Sequence, residues 1–255
     1  MKLFEKSLKQ KIENNELTIG SWITLAHPSI AEIMARAGFD WLAVDLEHSA
    51  ISISEAEELI RIINLSNVSP LVRLTSNDPD QIKRVMDSGS EGIIVPMVNT
   101  PEDARSAVKS AKYPPHGHRG FGLARAHTYG ESFNEYLEWQ KENITVIVQI
   151  EHIDAVDNLE LILDEDGVDG FIIGPYDLSG SLGVPGDFNH PKMLEAIKRI
   201  SEVSKKTKKA GGIHIVEPDK DQLTKAIKQG SKFIAYSLDT RMLDTSCRDG
   251  LQAVK

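Results

Sequence analysis

Short runs of hydrophobic, β-branched residues alternate with longer segments of helical periodicity along most of the chain. Such runs are typical of parallel strands buried on both faces, and the periodic segments are typical of the helices that connect them. Eight runs fit this description: residues 19–25, 41–45, 71–74, 92–96, 145–150, 170–173, 212–215 and 233–237. Eight βα units predict a closed (β/α)₈ TIM barrel, with residues 1–255 forming one domain.

Capping residues mark where the predicted helices begin and end. Helices are expected over residues 30–37, 55–65 and 80–88, and Thr100-Pro101 opens the next one. A glycine follows several of the helical segments at the position where a left-handed residue closes the last turn. These glycines are Gly38, Gly89, Gly211 and Gly230.

The connection between the fourth and fifth strands is unusually long, at about fifty residues. It contains the glycine- and proline-rich segment 113–122, which has little periodicity. A structural insertion is one interpretation. We favour the other, a loop that covers the active site.

Composition narrows the range of partners. The 255-residue chain has a net charge of −9 and no basic block, so it is expected to bind neither nucleic acid nor membranes. Small molecules are the expected partners. Cys247 is the single cysteine, and neither a signal peptide nor an apolar run long enough to span a membrane is evident. These features predict a cytoplasmic protein.

Barrel enzymes carry their reactive groups at the carboxyl ends of the strands. The second, third, fifth and sixth predicted strands end in or precede polar residues that should meet at one mouth of the barrel. These residues are Asp45, Glu47, His48, Arg73, Gln149, Glu151, Tyr176 and Asp177.

Two of these carboxylates, Glu151 and Asp177, favour a hard cation such as Mg²⁺ or Mn²⁺, since no cysteine or histidine cluster accompanies them. Their alternative role is to cap the helices that follow. His48 is either a packed histidine or a group for proton transfer near neutral pH. Arg73 either pairs with a neighbouring carboxylate or stabilises negative charge on the substrate.

Two other chemistries lose support. None of the eight runs ends in lysine, which a Schiff-base aldolase requires. Gly211-Gly212 precedes the seventh predicted strand, whereas barrels that bind phosphate have glycine-rich turns after it.

With these residues in place, the sequence resembles the HpcH/HpaI family of class II pyruvate aldolases, which cleave 4-hydroxy-2-oxo acids, including 2-keto-3-deoxy sugar acids. The resemblance spans roughly residues 19–236. Five stretches carry it: residues 37–48; 72–73 with 77–79; 95–98; 113–115 with 119–120; and 149–151 with 167–170 and 174–179.

The resemblance implies roles for individual residues. Glu151 and Asp177 would bind a divalent metal, Mg²⁺ or Mn²⁺ with Co²⁺ as a further option, and Gln149 would contact the keto acid. His48 would act as a base together with Asp87, with Asp45 close by. The resemblance also implies a homo-oligomer, expected to be a hexamer, in which a C-terminal helix at about 240–254 is exchanged between subunits.

The expected reaction is metal-dependent cleavage or formation of a 4-hydroxy-2-oxo acid, to and from pyruvate and an aldehyde. Tyr176, His214 and segment 120–126 depart from the family pattern, and we expect them to line the aldehyde half of the pocket. These departures leave room for another 2-oxo acid lyase or synthase, such as a citrate-forming condensation with oxaloacetate. A ligand-binding barrel without catalysis is the third hypothesis.

Overall fold

The structure is a computed structural model that describes residues 6–207, 209–252 and 254. Its strands are β1 (Thr18–Ile23), β2 (Trp41–Asp45), β3 (Ser69–Arg73), β4 (Gly92–Val95), β5 (Thr145–Ile150), β6 (Gly170–Ile173), β7 (Ala210–Ile215) and β8 (Phe233–Leu238). Its α-helices are α1 (Leu8–Glu13), α2 (Pro28–Ala35), α3 (Ile53–Leu65), α4 (Pro79–Asp87), α5 (Pro101–Ala111), α6 (Phe133–Asn143), α7 (Ile153–Asp157), α8 (Leu159–Asp164), α9 (Pro175–Ser181), α10 (Pro191–Thr207), α11 (Lys220–Lys228) and α12 (Asp239–Gln252). A 3₁₀ segment, Arg125–Gly130, precedes α6.

The eight strands form a closed parallel barrel in chain order, with β8 paired to β1. The predicted TIM barrel is therefore confirmed, and three of the predicted strands, residues 41–45, 145–150 and 170–173, have the observed bounds. The first strand ends earlier than predicted. The backbone N–H groups of Thr24 and Leu25 donate to the Asp239 carboxylate, each at 2.8 Å, instead of continuing the strand.

Alternate residues of each strand point into the barrel, where they form a separate apolar cluster. Its strand members are Trp22, Trp41, Ala43, Leu71, Ile94, Ile147, Ile172, Ala210, Phe233 and Ala235. The larger cluster lies between the strands and the surrounding helices. Gly20 makes room for the Trp41 ring, because a Cβ at Gly20 would lie 2.0 Å from it.

Helix α1 closes the amino end of the barrel. Its buried Leu8 and Ile12 join the interior cluster. The Lys9 ammonium donates to the Asp169 carboxylate at 2.5 Å, and that carboxylate also accepts from the Val146 N–H at the start of β5. The floor of the barrel is therefore filled by protein, and only the carboxyl end is left to hold a site.

The long connection between β4 and β5 does not cover the carboxyl end of its own barrel. Helix α5 first carries the chain back to the amino end, and segment 112–124 begins there. Arg125 donates through Nη1 to the Ser88 carbonyl at 2.9 Å, beyond the last residue of α4. Helix α6 then packs against α1. The preferred interpretation as an active-site loop is thus wrong within one chain, because the crossover helix precedes the segment.

Three of the four glycines expected to end helices have positive φ, namely Gly38 at 99°, Gly89 at 94° and Gly230 at 97°. Gly211 is an exception, because β7 begins at Ala210 and includes both glycines. A Cβ at Gly211 would lie 2.9 Å from the Phe171 ring. Close packing against the neighbouring strand therefore explains this glycine better than a helix end does.

The last helix, α12, has little contact with the rest of the chain. Asp239 is its one buried residue, and Leu243 and Leu251 are each 55% exposed. Of the predicted C-terminal segment 240–254, residue 253 lies outside the described residues, as do residues 1–5 at the other terminus. Within the described part of the chain, we find no helix with the length and apolar character needed to span a bilayer.

Candidate active site at the carboxyl end of the barrel

The carboxyl ends of β2, β3, β5 and β6 bring several charged side chains together, as the sequence predicts. The charges of Arg73 and Asp177 are close enough to affect the pKa of both Glu47 and Glu151. Among the described residues, no three or more His, Cys, Asp or Glu side chains are grouped so as to enclose a metal ion by themselves. Any cation at this mouth would need ligands from water or substrate as well.

Arg73, the last residue of β3, is held from three directions. Its Nε donates to Asp45 Oδ1 at 2.9 Å and its Nη2 donates to Asp45 Oδ2 at 2.6 Å. Its Nη1 lies 3.4 Å from Glu47 Oε2, and the guanidinium carbon lies 4.4 Å from the centre of the Trp22 ring. Arg73 thus forms one of the ion pairs expected of it and lies at the barrel mouth, while its role toward the substrate stays a prediction.

Glu151 is buried, and hydrogen bonds fix both of its carboxylate oxygens. Oε1 accepts from the Met97 N–H at 2.7 Å, and Oε2 accepts from the Gln149 side-chain amide. Met97 has φ of 51°, an unusual value for a residue with a side chain, and this turn directs its N–H toward Glu151. A Cβ on Gly174 would lie 2.8 Å from Oε2, so a glycine is needed beside this carboxylate.

Burial and like charge disfavour ionisation of two of these carboxylates. Burial raises the pKa of Glu47 to about 7, with Arg73 opposing the shift and Glu151 and Asp177 adding to it. Burial also raises the pKa of Glu151, against the hydrogen bonds from Gln149 and Met97. Glu47 Oε2 is buried and accepts no hydrogen bond from the described chain. The carboxylates at the mouth therefore carry more negative charge than Arg73 and the nearby hydrogen-bond donors neutralise.

Neither predicted metal ligand is a helix cap. Helix α7 has His152 as its N-cap, and Glu151 lies before it with its carboxylate turned to Met97. Helix α9 has Gly174 as its N-cap. Asp177 lies in the first turn of that helix and is exposed, so its oxygens are open to solvent.

His48 lies at the rim of the mouth, with 64% of its side chain exposed. Its Nε2 is 3.7 Å from Glu47 Oε2, and its backbone N–H donates to Asp45 Oδ1 at 3.3 Å. The structure therefore groups His48 with Asp45 and Glu47, which gives the imidazole a fixed acidic neighbour.

Asp87 is not part of this group. It is the last residue of α4, and the strand that follows starts at the opposite end of the barrel. There its carboxylate accepts from Arg119 Nη2 at 2.5 Å, and the Arg119 guanidinium packs over the Tyr113 ring at 4.5 Å. The predicted pairing of His48 with Asp87 therefore does not form within one chain, because the length of the barrel separates them.

The two side chains predicted to contact the aldehyde half occupy different environments. Tyr176 is 57% exposed and makes an edge contact with the Phe188 ring, at 5.0 Å between centres. His214 points into the barrel, where its ring makes an edge contact with Trp22 at 5.6 Å. Segment 120–126 lies at the amino end, so the prediction that it lines this chain's own pocket is wrong.

Two contributors to the site, Met97 and Trp22, were not predicted, and a third, Glu47, was expected at the mouth without a role of its own. Glu47 was identified only as a possible partner of Arg73, although it is flanked by the predicted metal ligands. Met97 contributes a backbone N–H, and residue type gives little indication of such a role. Trp22 lies on an inward position of β1, and the alternation of that strand is a signal that could have identified it.

Comparison with known proteins places this geometry in context. The family model described as HpcH/HpaI aldolase/citrate lyase matches residues 18–245. A hydroxypyruvate/pyruvate aldolase from Sagittula stellata is 38% identical over 247 residues, which cover 96% of each chain. A 4-hydroxy-2-oxo-heptane-1,7-dioate aldolase from Escherichia coli is 38% identical over 242 residues, covering 94% of this chain and 91% of the relative.

Among solved structures, a family protein from Burkholderia cenocepacia superimposes with a TM-score of 0.91 at 33% identity. The superposition covers 97% of this chain and 98% of the other. The agreement therefore extends over the whole barrel, including the strand ends that carry the site.

Proposed function

The chain belongs to the HpcH/HpaI aldolase/citrate lyase family, and from this premise we propose that it is a divalent-metal-dependent pyruvate aldolase. The family and the aldolase class, a carbon–carbon lyase, were both predicted from the sequence, and the comparisons confirm them. The proposed substrate is a 4-hydroxy-2-oxo acid, such as a 2-keto-3-deoxy sugar acid, cleaved to pyruvate and an aldehyde. A cytoplasmic location, favoured by the single cysteine, is part of the proposal.

The single observation that carries the proposal is the group of carboxylates around Arg73. Carboxylate oxygens are the ligands that Mg²⁺ and Mn²⁺ prefer. Glu151 and Asp177 would hold the cation, and Glu47, whose Oε2 accepts no hydrogen bond from the described chain, is close enough for both carboxylates to affect its pKa. A bound cation would favour the charged forms of Glu47 and Glu151, whose pKa values are raised by burial and, to a smaller extent, by like charge. The residues present therefore fit a divalent metal.

The cation, when bound, would supply Lewis acidity toward the 2-oxo group. Gln149 would orient the keto acid, and the fixed charge of Arg73 would stabilise the negative charge that develops on its oxygen during cleavage. The Arg73 Nη1 group is suited to this because Asp45 occupies only Nε and Nη2. His48 would take the proton of the C4 hydroxyl while the bond between C3 and C4 breaks and the aldehyde leaves. Asp45 would hold the turn that carries His48.

A role for Asp87 requires a second copy of the chain. Asp87 lies at the amino end, so it can meet His48 only if the amino end of one copy approaches the mouth of another. We propose such a homo-oligomer, a hexamer, in which the exposed apolar stripe of α12 packs on a neighbouring subunit. Leu243, Cys247 and Leu251 form that stripe, with one residue on each successive turn.

The proposal can be tested by following carbon–carbon bond formation from pyruvate and a panel of aldehydes, with and without Mn²⁺. Glu151→Gln and Asp177→Asn remove ligand charge with little change in shape, so each should abolish metal-dependent turnover. Glu160→Gln, at an exposed position of α8, is the matched control and should retain activity. Full activity of the Glu151 and Asp177 variants without metal would exclude the proposed chemistry.

The same assay separates the alternatives. A citrate-forming enzyme would form a bond with oxaloacetate only when an acetyl donor replaces pyruvate, whereas a ligand-binding barrel would form no bond with either donor. Decarboxylation of oxaloacetate does not distinguish these functions, because a pyruvate-type site is expected to catalyse it as a side reaction.

A further inference from the structure

His214 lies in the innermost layer of side chains at the barrel mouth. His214 is in register with Ala235 of β8 and lies four residues after Ala210 on β7. Both alanines belong to the interior cluster, so the His214 side chain also points into the barrel. Burial, together with the smaller effect of the Arg73 charge, lowers the pKa of His214 to about 4. The imidazole is therefore neutral near pH 7, and it can both accept and donate hydrogen bonds.

One ring nitrogen of His214 is used by the protein and the other is not. A backbone hydrogen bond with Ser237 raises the pKa, as a carbonyl that accepts from a ring N–H does. Ser237 has φ of 54°, and its carbonyl also accepts from the Ser21 hydroxyl at 3.1 Å. Nε2 is buried and has no partner in the described chain. With Nδ1 donating to Ser237, Nε2 presents a lone pair.

The neighbouring ring carries the complementary group. Trp22 lies 5.6 Å from His214 between ring centres, and its indole Nε1 is also buried without a partner in the described chain. The indole N–H is a donor only, whereas Nε2 of this tautomer is an acceptor. A buried polar atom without a hydrogen bond is unfavourable by about 1–3 kcal/mol. A hydroxyl is the simplest group that accepts from one atom and donates to the other.

The position of this pair relative to the proposed chemistry identifies which hydroxyl it meets. The pyruvate half is assigned to β3, β5 and β6, through Arg73, Gln149 and Glu151. The aldehyde half then faces the wall formed by β1, β7 and β8. On that wall the Ser237 hydroxyl is already used, because it donates to the Val216 carbonyl at 2.9 Å. Among the described residues of the wall, Trp22 Nε1 and His214 Nε2 are buried side-chain atoms without a hydrogen-bond partner.

We propose that Trp22 and His214 form a hydroxyl-binding subsite that selects hydroxylated aldehydes over aliphatic ones. The inference rests on the proposed aldolase function and deepens it, because it names the class of the second substrate. A water molecule in the same position would satisfy the same atoms, and a substrate hydroxyl would displace it.

The test compares glycolaldehyde with propionaldehyde, which has a methyl group in place of the hydroxyl and the same number of heavy atoms. The unaltered enzyme should have the higher kcat/KM for glycolaldehyde with pyruvate. His214→Leu removes the acceptor, and the ratio of the two kcat/KM values should fall at least tenfold. Trp22→Phe removes the donor and should lower the ratio in the same direction. His214→Gln places an amide oxygen near the Nε2 position and should restore part of the ratio.

Two controls separate this inference from a general loss of function. His116→Leu, the same substitution at an exposed position of the amino end, should leave the ratio unchanged. Because oxaloacetate decarboxylation needs only the pyruvate half, its rate in each variant reports damage to that half and is the reference for the two kcat/KM values. A ratio within threefold of the unaltered enzyme in both His214→Leu and Trp22→Phe would overturn the subsite. No metal-dependent bond formation with either aldehyde in the unaltered enzyme would instead overturn the aldolase proposal, and the subsite with it.

Discussion

Arg73 and Asp45 form a two-point ion pair across neighbouring strands, at 2.9 Å and 2.6 Å, in exact register at the ends of β3 and β2. The same Asp45 oxygen that accepts from Arg73 Nε also accepts the N–H groups of Glu47 and His48. The Asp45 carboxylate therefore holds both the Arg73 guanidinium and the turn that carries His48, the proposed base. This arrangement makes the shape of the guanidinium as important as its charge.

Arg73→Lys should preserve the fold and reduce kcat/KM for the aldol reaction by at least about 100-fold. Lysine keeps the positive charge, but it cannot grip Asp45 at two points or pack flat on Trp22. Arg105→Lys is the matched control, since Arg105 forms a similar two-point pair with Glu165 at the surface. Steady-state kinetics and thermal unfolding of both variants provide the measurement. Near-normal activity in Arg73→Lys would show that charge alone suffices.

Gly174→Ala should weaken Mn²⁺ binding by about tenfold or more. The added Cβ would lie 2.8 Å from Glu151 Oε2 and 3.4 Å from Gln149 Nε2, so the carboxylate must leave its present position. Gly180→Ala adds the same methyl group to the same helix, where nothing lies within 4 Å. Isothermal titration of each variant with Mn²⁺ measures the effect. Equal affinities in the two variants would mean that Glu151 is not a ligand.

His48→Ala and Asp87→Ala should each be inactive alone and regain activity when their subunits are mixed. If a site combines His48 of one copy with Asp87 of another, random assembly of equal amounts makes about one quarter of the sites intact. The measurement is the aldol rate after joint unfolding and refolding. Each variant refolded alone is the control. A mixture no more active than its components would argue against a shared site.

Leu243→Glu should lower the molar mass of the assembly in light scattering, because it puts a charge on the exposed apolar stripe of α12. Gln252→Glu adds the same charge on the opposite side of the same helix and should leave the mass unchanged. Dissociation in both variants, or in neither, would be inconsistent with the stripe as an interface.

The barrel itself could be predicted because its strands are continuous apolar runs with clear ends. The strand at 170–173 lies between Asp169 and Gly174, the strand at 41–45 follows Asp40, and the strand at 145–150 is followed by Glu151. The β4–β5 connection was misplaced for a different reason. A segment's sequence shows that it lacks periodicity, but the end of the barrel on which it lies depends on whether the crossover helix comes before or after it.

The site could be predicted as far as side chains follow strand ends, which placed Arg73 and Glu151 correctly at the mouth. Glu47 and Asp87 show the limit. Which way Glu47 points depends on the turn that Asp45 organises, and the distance of Asp87 from the mouth depends on the full length of α4. The direction of Glu47 and the distance of Asp87 from the mouth both depend on tertiary structure, which residue type and spacing do not reveal.

The stability of the protein should fall as the pH drops from about 6.5 to about 4, and His214 should account for part of the loss. Its pKa is about 4 in the folded protein, below the ordinary histidine value of 6.5, because burial disfavours the charged ring. As the pH falls below about 6.5, the unfolded chain therefore takes up the proton before the folded protein does, which favours unfolding. This loss of stability is absent above about pH 6.5 and grows until the folded ring is itself protonated near pH 4. Its size is at most about 3 kcal/mol, and solvent at the half-buried ring reduces it.

Urea unfolding of the unaltered protein and His214→Gln between pH 7.5 and pH 4.5 would measure this contribution. The free energy of unfolding should decline less steeply for His214→Gln than for the unaltered protein, while His116→Gln should follow the unaltered protein. Parallel curves for all three would mean that the His214 ring is ionised as easily in the folded barrel as in the unfolded chain.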